Sequence, residues 1–432
     1  MVILVFCTGL LVCLLMDLSI LWALLFGLLL FLLHGRKKGY SWRALFSMAL
    51  DGALTVRNIL LAFLLIGVMT AMWRAAGTIP VLVCYVASFI RPAVFLPMCF
   101  LLNCFLSLLT GTSFGTAATM GVICAAMGSA MGIDPCLVGG AVLSGAYFGD
   151  RCSPVSTSAL LVAELTETSI FDNIRNMLRS ALVPFLLSCA VYALLGLRQS
   201  GGGEGMALSE LFGRVFQLSP LALLPAAAIL VLSVLRVPVK LAMAVSILCA
   251  LPLCLFLQHQ TLSELLAAAV FGYHSSDAQV ERMLSGGGIL SFLHVSGIVC
   301  LSASYSVIFR ETGLLDGIRQ SLHRFSQRTT RYCAMLVTAL AACAVACNQS
   351  LSSMLCAQIC GSLYSDKHAL ALDLEDSVIV IAALLPWSIA CSVPLTTVGA
   401  PSVSVLFACY LYLLPLWRLL LSFWEKRKRT GG

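Results

Sequence analysis

Residues 144–161 read SGAYFGDRCSPVSTSALL and set an aspartate, Asp150, beside an arginine, Arg151, between long apolar runs. Serines, a threonine, a proline and two glycines crowd the same stretch. In a soluble chain this would be an ordinary loop. Here it is embedded in 432 residues of which 60% are hydrophobic and only 10% charged. The mean hydropathy is +1.00. Soluble domains carry about 25% charged residues, so this chain lacks the charge to coat a water-facing globule of its size. Apolar runs recur at Leu18–Leu33, Ile59–Met72, Leu218–Leu235, Leu241–Leu257, Ile289–Phe309 and Val403–Phe423. A helix spans a bilayer with about 20 mostly apolar residues. The fold class is therefore an all-α polytopic membrane protein, with the lipid bilayer as its solvent.

Other classes fail on pattern. Outer-membrane barrels alternate with period two over about 10 residues, and no such segment occurs. A secretory signal needs a basic start, whereas no basic residue precedes His34, so Met1–Leu33 reads as a retained helical hairpin broken near Asp17. The 19 cysteines form no C-x-x-C and sit mostly in apolar runs, where cysteine behaves as a small hydrophobe. No resident metal or other cofactor is expected. The net charge of +7 comes from short clusters rather than a stripe, so no nucleic-acid partner is expected.

Those clusters give direction. Basic residues mark cytoplasmic loops, here Arg36–Arg43, Arg236/Lys240, Arg319–Arg331 and the tail Lys426–Arg429. The tail places the C-terminus in the cytoplasm, in a multi-pass plasma-membrane protein. The first span runs inward to Arg36, is followed by SWRALFSMALDG (Ser41–Gly52), and a span then runs outward from Arg57. In the second half a span runs outward from Lys240, is followed by TLSELLAAAVFG (Thr261–Gly272), and the next returns to Arg319. The same order in reversed direction predicts two inverted-topology repeats, a plan common in secondary transporters. The division is residues 1–198, an extracytoplasmic linker at 199–213 around Gly201–Gly203, and residues 214–432.

Polar interruptions fall in both halves: TGTSFGTAATMG (Thr110–Gly121) and the opening stretch, then CNQSLSSM (Cys347–Met354) and LEDSVIVIAALLPWSIACSVPLTT (Leu374–Thr397). Non-helical backbone at membrane depth survives only inside protein or along a wet cavity. Re-entrant hairpins and broken helices around a central site are thus expected. A carboxylate at mid-membrane costs at least ~2.5–3.5 kcal/mol, which makes Asp150 the leading candidate to hold a cation or exchange a proton. Capping the next half-helix, or lying with Arg151 in interfacial water, are the other readings. Thr112, Ser113 and Thr116 supply hydroxyls to an ion or simply permit close packing. GTSFG also has the G-x-S-x-G form of a nucleophile elbow, but that motif needs a preceding strand; no enzyme activity is expected. Asn348 and Gln349 form the matching neutral cluster. Glu375 and Asp376 are cavity acids or part of a wet linker with Asp366, Lys367 and Asp373. Trp387 and Ser388 follow Pro386 and can line the site. Glu164 and His294 read as isolated structural polar groups.

GTSFGTAATMG, SGAYFGDRCSPVS, Gly286–Gly288, NQSLSSML, and LEDS followed by LLPW together resemble the NhaC-type sodium/proton antiporters of the ion transporter superfamily. The resemblance covers most of the chain and implies a scaffold part, a moving transport part and exchange of Na+ for H+ by alternating access. Asp150, Ser153, Ser156, Gln349, Asp376 and Trp387 match the pattern. Thr157 stands where it has an acid, Leu160 and Ser388 where it has asparagines, and Asn348 where it has an aspartate. Transient Na+ near Asp150 is implied. The missing acids keep open an organic-acid or amino-acid exchanger on the same fold. Expected partners are thus a monovalent cation with a proton, or a small organic solute, and a homodimer is an open option.

Overall fold

The computed structural model describes all residues except 1–4, 7, 10–11, 14–18, 90, 155, 200–204, 236, 313–324, 326–328 and 431–432. The expected break near Asp17, the glycines Gly201–Gly203 and the basic residues Arg236, Arg319, Arg324 and Arg328 lie outside the described residues. Regular structure among the described residues is helical apart from a single bridge between Tyr273 and Gly286. Helices satisfy every backbone group within the segment, which lipid requires.

In the first half α1 (Ile20–Lys37), α2 (Trp42–Thr55), α3 (Arg57–Ala75) and α4 (Thr78–Phe89) precede α5 (Pro92–Thr110), α6 (Ser113–Ala130), α7 (Pro135–Cys152), α8 (Thr157–Thr166) and α9 (Ile170–Leu197). A short α10 (Gly205–Gly213) occupies the stretch read from sequence as a loop linker. Then come α11 (Leu224–Val234), α12 (Val239–Leu257), α13 (Leu262–Phe271), α14 (Ala278–Leu284) and α15 (Leu293–Thr312). Last are α16 (Arg331–Ala346), α17 (Gln349–Cys360), α18 (Lys367–Glu375), α19 (Val378–Ile381), α20 (Ile389–Thr397) and α21 (Cys409–Thr430). Among the described residues five helices are long and apolar enough to cross a membrane, or up to six if the bent pair Lys367–Leu384 and Ile389–Thr397 is one span. The pair bends by 57°.

Helix α9 shows what the outside of the molecule is built for. Its buried positions Asn173, Met177, Ala181, Pro184, Ser188 and Tyr192 recur every three or four residues. The other face exposes Phe171, Leu178, Leu182, Leu186 and Leu194. Beyond the charged first turns at Asp172, Arg175 and Arg179, the outward face is leucine while Asn173, Ser188 and Tyr192 point inward, unlike a helix on a water-facing surface. A lipid-facing wall accounts for both.

The helices sort into two groups. In one, α2 and α1 pack on α15, while α13 and α12 pack on α3. Each half thus lays two helices against one helix of the other. Gly67 on α3 shows how close the approach is: a Cβ there would stand 2.6 Å from the Gly288 carbonyl oxygen. The Gly288 amide donates to the Gly67 carbonyl at 2.8 Å, so a side chain at Gly67 would push the segment at Gly288 off the helix.

The other group gathers α5–α9 with α16–α21. Helix α5 lies along α7, where Gly149 leaves no room for a Cβ, which would fall 2.3 Å from the Leu108 amide nitrogen. The two sequence halves use one backbone device. α5 ends on left-handed Gly111 (φ 65°) and α16 on left-handed Cys347 (φ 53°). Extended Thr112 and Asn348 then cap α6 and α17. Asp134 and Asp366 likewise cap α7 and α18, and the breaks that follow end in the caps Ser156 and Ser388. Side-chain oxygens at these positions satisfy amides left free in a helix's first turn.

Candidate ion-binding site

The break Ser153–Ser156 puts Asp150 in the middle of the second group. Asp150 is 4% exposed. Ser156 donates to its Oδ1 at 3.1 Å and Ser113 reaches its Oδ2 at 3.5 Å. The Gln349 amide, whose Nε2 donates to the Ile379 carbonyl at 3.2 Å, also lies beside this carboxylate. Ser158 donates to the Asp150 carbonyl at 3.2 Å and shares a 2.8 Å hydrogen bond with Ser156. Three helix N-termini therefore meet at one carboxylate: α6 through Ser113, α8 through Ser156 and α17 through Gln349. Each terminus carries about half a positive charge, and together with hydroxyl donors they suit the charged form of Asp150. Asp150 caps no helix; Ser156 takes that role by accepting from the Ala159 amide at 3.3 Å.

Arg151 faces another way. It is fully buried, forms an ion pair with the equally buried Asp376, and donates to Ser180 at 2.8 Å and Tyr410 at 2.9 Å. Successive residues on a helix point to different sides, so Asp150 and Arg151 serve different partners although neither lies in interfacial water. Asp376 Oδ1 also accepts from Ser180 at 3.2 Å, and Tyr332 donates to the Asp376 carbonyl at 2.9 Å. The wet-linker reading of Glu375 and Asp376 is corrected: both are fully buried. Asp373 is buried too, held by Arg418 at 2.8 Å and Tyr364 at 2.8 Å, while Asp366 and Lys367 are exposed.

The remaining expected site residues divide by position. Thr116 bonds back to the Thr112 carbonyl at 2.9 Å, and Thr112 accepts from the Gly115 amide at 3.4 Å. Ser153 ties the first break to α5 through the Leu108 carbonyl at 2.7 Å. Trp387 does the same for the second break, donating to the Ala344 carbonyl at 3.1 Å, and Ser388 donates to the Cys347 carbonyl at 3.3 Å. Asn348 accepts from the amides of Ser350 and Leu351 at 2.9 and 3.2 Å. Thr157 is exposed on the first turn of α8 and is not brought to Asp150. Glu164 and His294 are exposed as well. Ser113 follows a helix, not a strand, so the elbow geometry is absent. Ser158 and Tyr147, whose hydroxyl donates to the Ala390 carbonyl at 2.7 Å, join the site without any sequence signal beyond the polar run they belong to. Among the described residues no cluster of His, Cys, Asp and Glu could hold a resident metal.

The sequence profile of the Na+/H+ antiporter family matches residues 1–164 and 145–425. The chain belongs to the Na+/H+ antiporter family. It is 27% identical over 407 residues to the Na+/H+ antiporter NhaC of Alkalihalophilus pseudofirmus, covering 92% of this chain and 88% of that one. It is 25% identical over 386 residues to the malate-2H+/Na+-lactate antiporter of Bacillus subtilis, covering 86% and 82%. It is 27% identical over 383 residues to the arginine/ornithine antiporter ArcD of Halobacterium salinarum, covering 85% and 79%. These relatives are transporters rather than enzymes. Family and helices together make the chain a secondary active transporter of the multi-pass membrane class.

Proposed function

We propose that this antiporter exchanges Na+ for H+ by alternating access, with Asp150 as the carboxylate that takes the cation. The supporting observation is a buried carboxylate approached by Ser113, Ser156 and Gln349 at the meeting of three helix N-termini. Sodium is a hard cation that prefers oxygen ligands, and carboxylate, hydroxyl and amide oxygens supply them without a fixed positive side chain. Ser153, Thr112, Thr116, Asn348, Trp387 and Ser388 hold the broken backbone around it, and Thr157 takes no direct part. Asp376 acts through Arg151 rather than on the ion. The paired cap geometry and reciprocal packing support two inverted repeats, residues 1–198 and 214–432, with re-entrant hairpins at α6 and α17. The group holding α2, α3, α13 and α15 serves as scaffold and the group around α7 and α18 moves. Basic Lys426–Arg429 supports a cytoplasmic C-terminus in the plasma membrane.

The names of the relatives leave room for an organic cargo, and the geometry narrows it. Arg151 is turned to Asp376 and away from Asp150, so Asp150 has no guanidinium beside it with which an organic anion could pair. The alternative this site favours is a cationic amine such as a basic amino acid. Reconstituted protein with an imposed pH gradient should take up Na+ and acidify or alkalinise the lumen accordingly. Uptake of a basic amino acid with no Na+ movement would overturn the sodium reading, and so would full, equally pH-dependent exchange by Asp150→Asn.

A further inference from the structure

Glu375, the last residue of α18, is fully buried and neither carboxyl oxygen has a hydrogen-bond partner among the described residues. Beside it lie two more unpartnered polar atoms, Arg151 Nε and Asp376 Oδ2. The charged groups acting on it are Arg151, then Asp150 and Asp376, with the Cys152 thiol also within its field. The elements packed on α18 carry their charge away from it: Glu164 on α8 and Asp172, Arg175 and Arg179 on α9 are exposed, α17 brings the thiols Cys356 and Cys360, and α16 brings Tyr332 and the half-buried Arg331, whose guanidinium lies over the Tyr364 ring. The contrast with Asp150 is chemical. Asp150 is dressed with donors that suit an anion; Glu375 has none, and an unpaired buried carboxylate costs several kcal/mol. Two buried carboxyls so differently hydrogen-bonded can divide the work between them.

We propose that Glu375 is the proton-carrying acid of the exchange cycle, a role separate from the cation-holding role of Asp150. The inference rests on the antiport reading above. With Asp150, Glu375 and Asp376 all ionised against Arg151, the cluster would carry a net charge of −2. A proton on Glu375 and a cation on Asp150 bring it to zero. When the exchange cycle exposes this cluster to water, the Glu375 O–H bond breaks, the proton leaves to water and the electron pair stays on the carboxylate. Arg151, with Nε still unpartnered, is the cation at hand to face the charge left behind. Occupation of Asp150 by a cation offsets part of the repulsion that resists this ionisation, so cation entry promotes proton release and the reverse holds by linkage.

The test uses the purified full chain, since Glu375→Gln has the shape of the protonated acid. Infrared titration should show a protonated carboxyl band near neutral pH that is lost in Glu375→Gln and shifted in Glu375→Asp. In proteoliposomes Glu375→Gln should lose pH-driven Na+ movement while Na+ still raises its melting temperature, and Glu375→Asp should restore coupling with a displaced pH profile. A band that persists in Glu375→Gln, or an unchanged pH profile, overturns the proposal. If Glu375→Gln does not fold, the wild-type band and its displacement in Glu375→Asp decide alone. Absence of Na+ binding and exchange in the wild type would sink the sodium reading, whereas the infrared band judges Glu375 independently of it.

Discussion

The two broken helices invite a direct comparison, because SPVS (153–156) and LPWS (385–388) each end in the serine that caps the next helix. Both set a proline in the second position, both end in a serine cap, and both lean on carbonyls near the C-terminal end of an earlier helix, α5 or α16. The first break is tied through Ser153 to Leu108, the second through Trp387 to Ala344. Yet the first is preceded by Asp150 and Arg151, whereas the residues before the second, from Val378 to Leu384, are apolar. The second half instead places its acids earlier, at Asp373, Glu375 and Asp376. A shared backbone device has been given unlike charges, and the charges of the two halves complete each other: Arg151 of the first pairs with Asp376 of the second. What the halves share is a way to break a helix without leaving its backbone groups unpaired. What they do not share is the chemistry placed at the break.

The largest expected effect comes from cutting that link. Removing one member of a fully buried ion pair leaves a bare charge and costs about 3–5 kcal/mol. Arg151→Gln and Asp376→Asn should each lower stability by that order, read as the midpoint of a detergent-unfolding titration. Arg151→Met combined with Asp376→Leu should recover most of the loss, because two apolar groups leave no unpaired charge. If the double change is worse than either single one, the two halves are joined through something other than this pair. Next in size is Asp150→Asn, which should slow Na+-driven proton movement by about a hundredfold, or ~2.7 kcal/mol in barrier height. Its melting temperature should stay close to wild type, since an amide still accepts from Ser156, while the added stability conferred by Na+ should vanish. That outcome would separate the transport carboxylate from the structural one although they act through adjacent residues.

Part of this was legible in the sequence because membranes punish ambiguity. Of the five helices able to cross a membrane, apolar runs located Arg57–Ala75 and Val239–Leu257 to within a few residues and did not mark the other three, while Asp150 stood out because charge is expensive where it lies. The polar interruptions marked the places where helices end, and Thr112, Asn348, Ser156 and Ser388 turned out to be the caps. The sequence did not reveal which way each side chain faces. Asp150 and Arg151 differ by one position and serve different partners, and Thr157 differs from Ser156 by one position and is exposed. Asp376 pairs with a residue 225 positions away, a relation no local pattern encodes. Glu375 resembled its neighbours in a run of acids, and only burial distinguishes it from Asp366.

The caps give a finer comparison. Ser156→Ala removes a cap and an Asp150 donor together; Ser388→Ala removes a cap and a bond to Cys347. Losing such a cap costs about 1 kcal/mol, and both variants should show that loss in the same unfolding titration. They should part in transport: Ser156→Ala weakens apparent Na+ affinity several-fold, and Ser388→Ala leaves it close to wild type. Equal effects on affinity would mean that the second break also touches the ion.

The smallest effect is expected where the halves differ most in length. In the first, α2 runs into α3 through Val56 alone; in the second, residues 272–288 intervene between α13 and the turn that opens α15. This strap is closed by paired backbone bonds between Tyr273 and Gly286 at 2.9 and 3.1 Å. Inside it the Glu281 carboxylate meets His274 at 2.9 Å and the Ser275 amide at 2.6 Å. The His274 hydrogen bond, followed by that amide, holds Glu281 below the usual carboxylate range. Asp277 is lowered in the same way by the amides of Val280 and Gln279 at the start of α14. Their contribution is therefore complete above the unfolded-state values and is lost as pH falls through the lower folded-state values. Amide hydrogen exchange at Ser275, Gln279 and Val280, corrected for the intrinsic pH dependence of exchange, should lose protection on acidification below the ordinary carboxylate range. The Ser41-capped start of α2, which has no carboxylate in its first turn, should keep its protection over the same range. Loss of protection at both places would mean that acid loosens the scaffold as a whole, and that the strap is not a separately held piece.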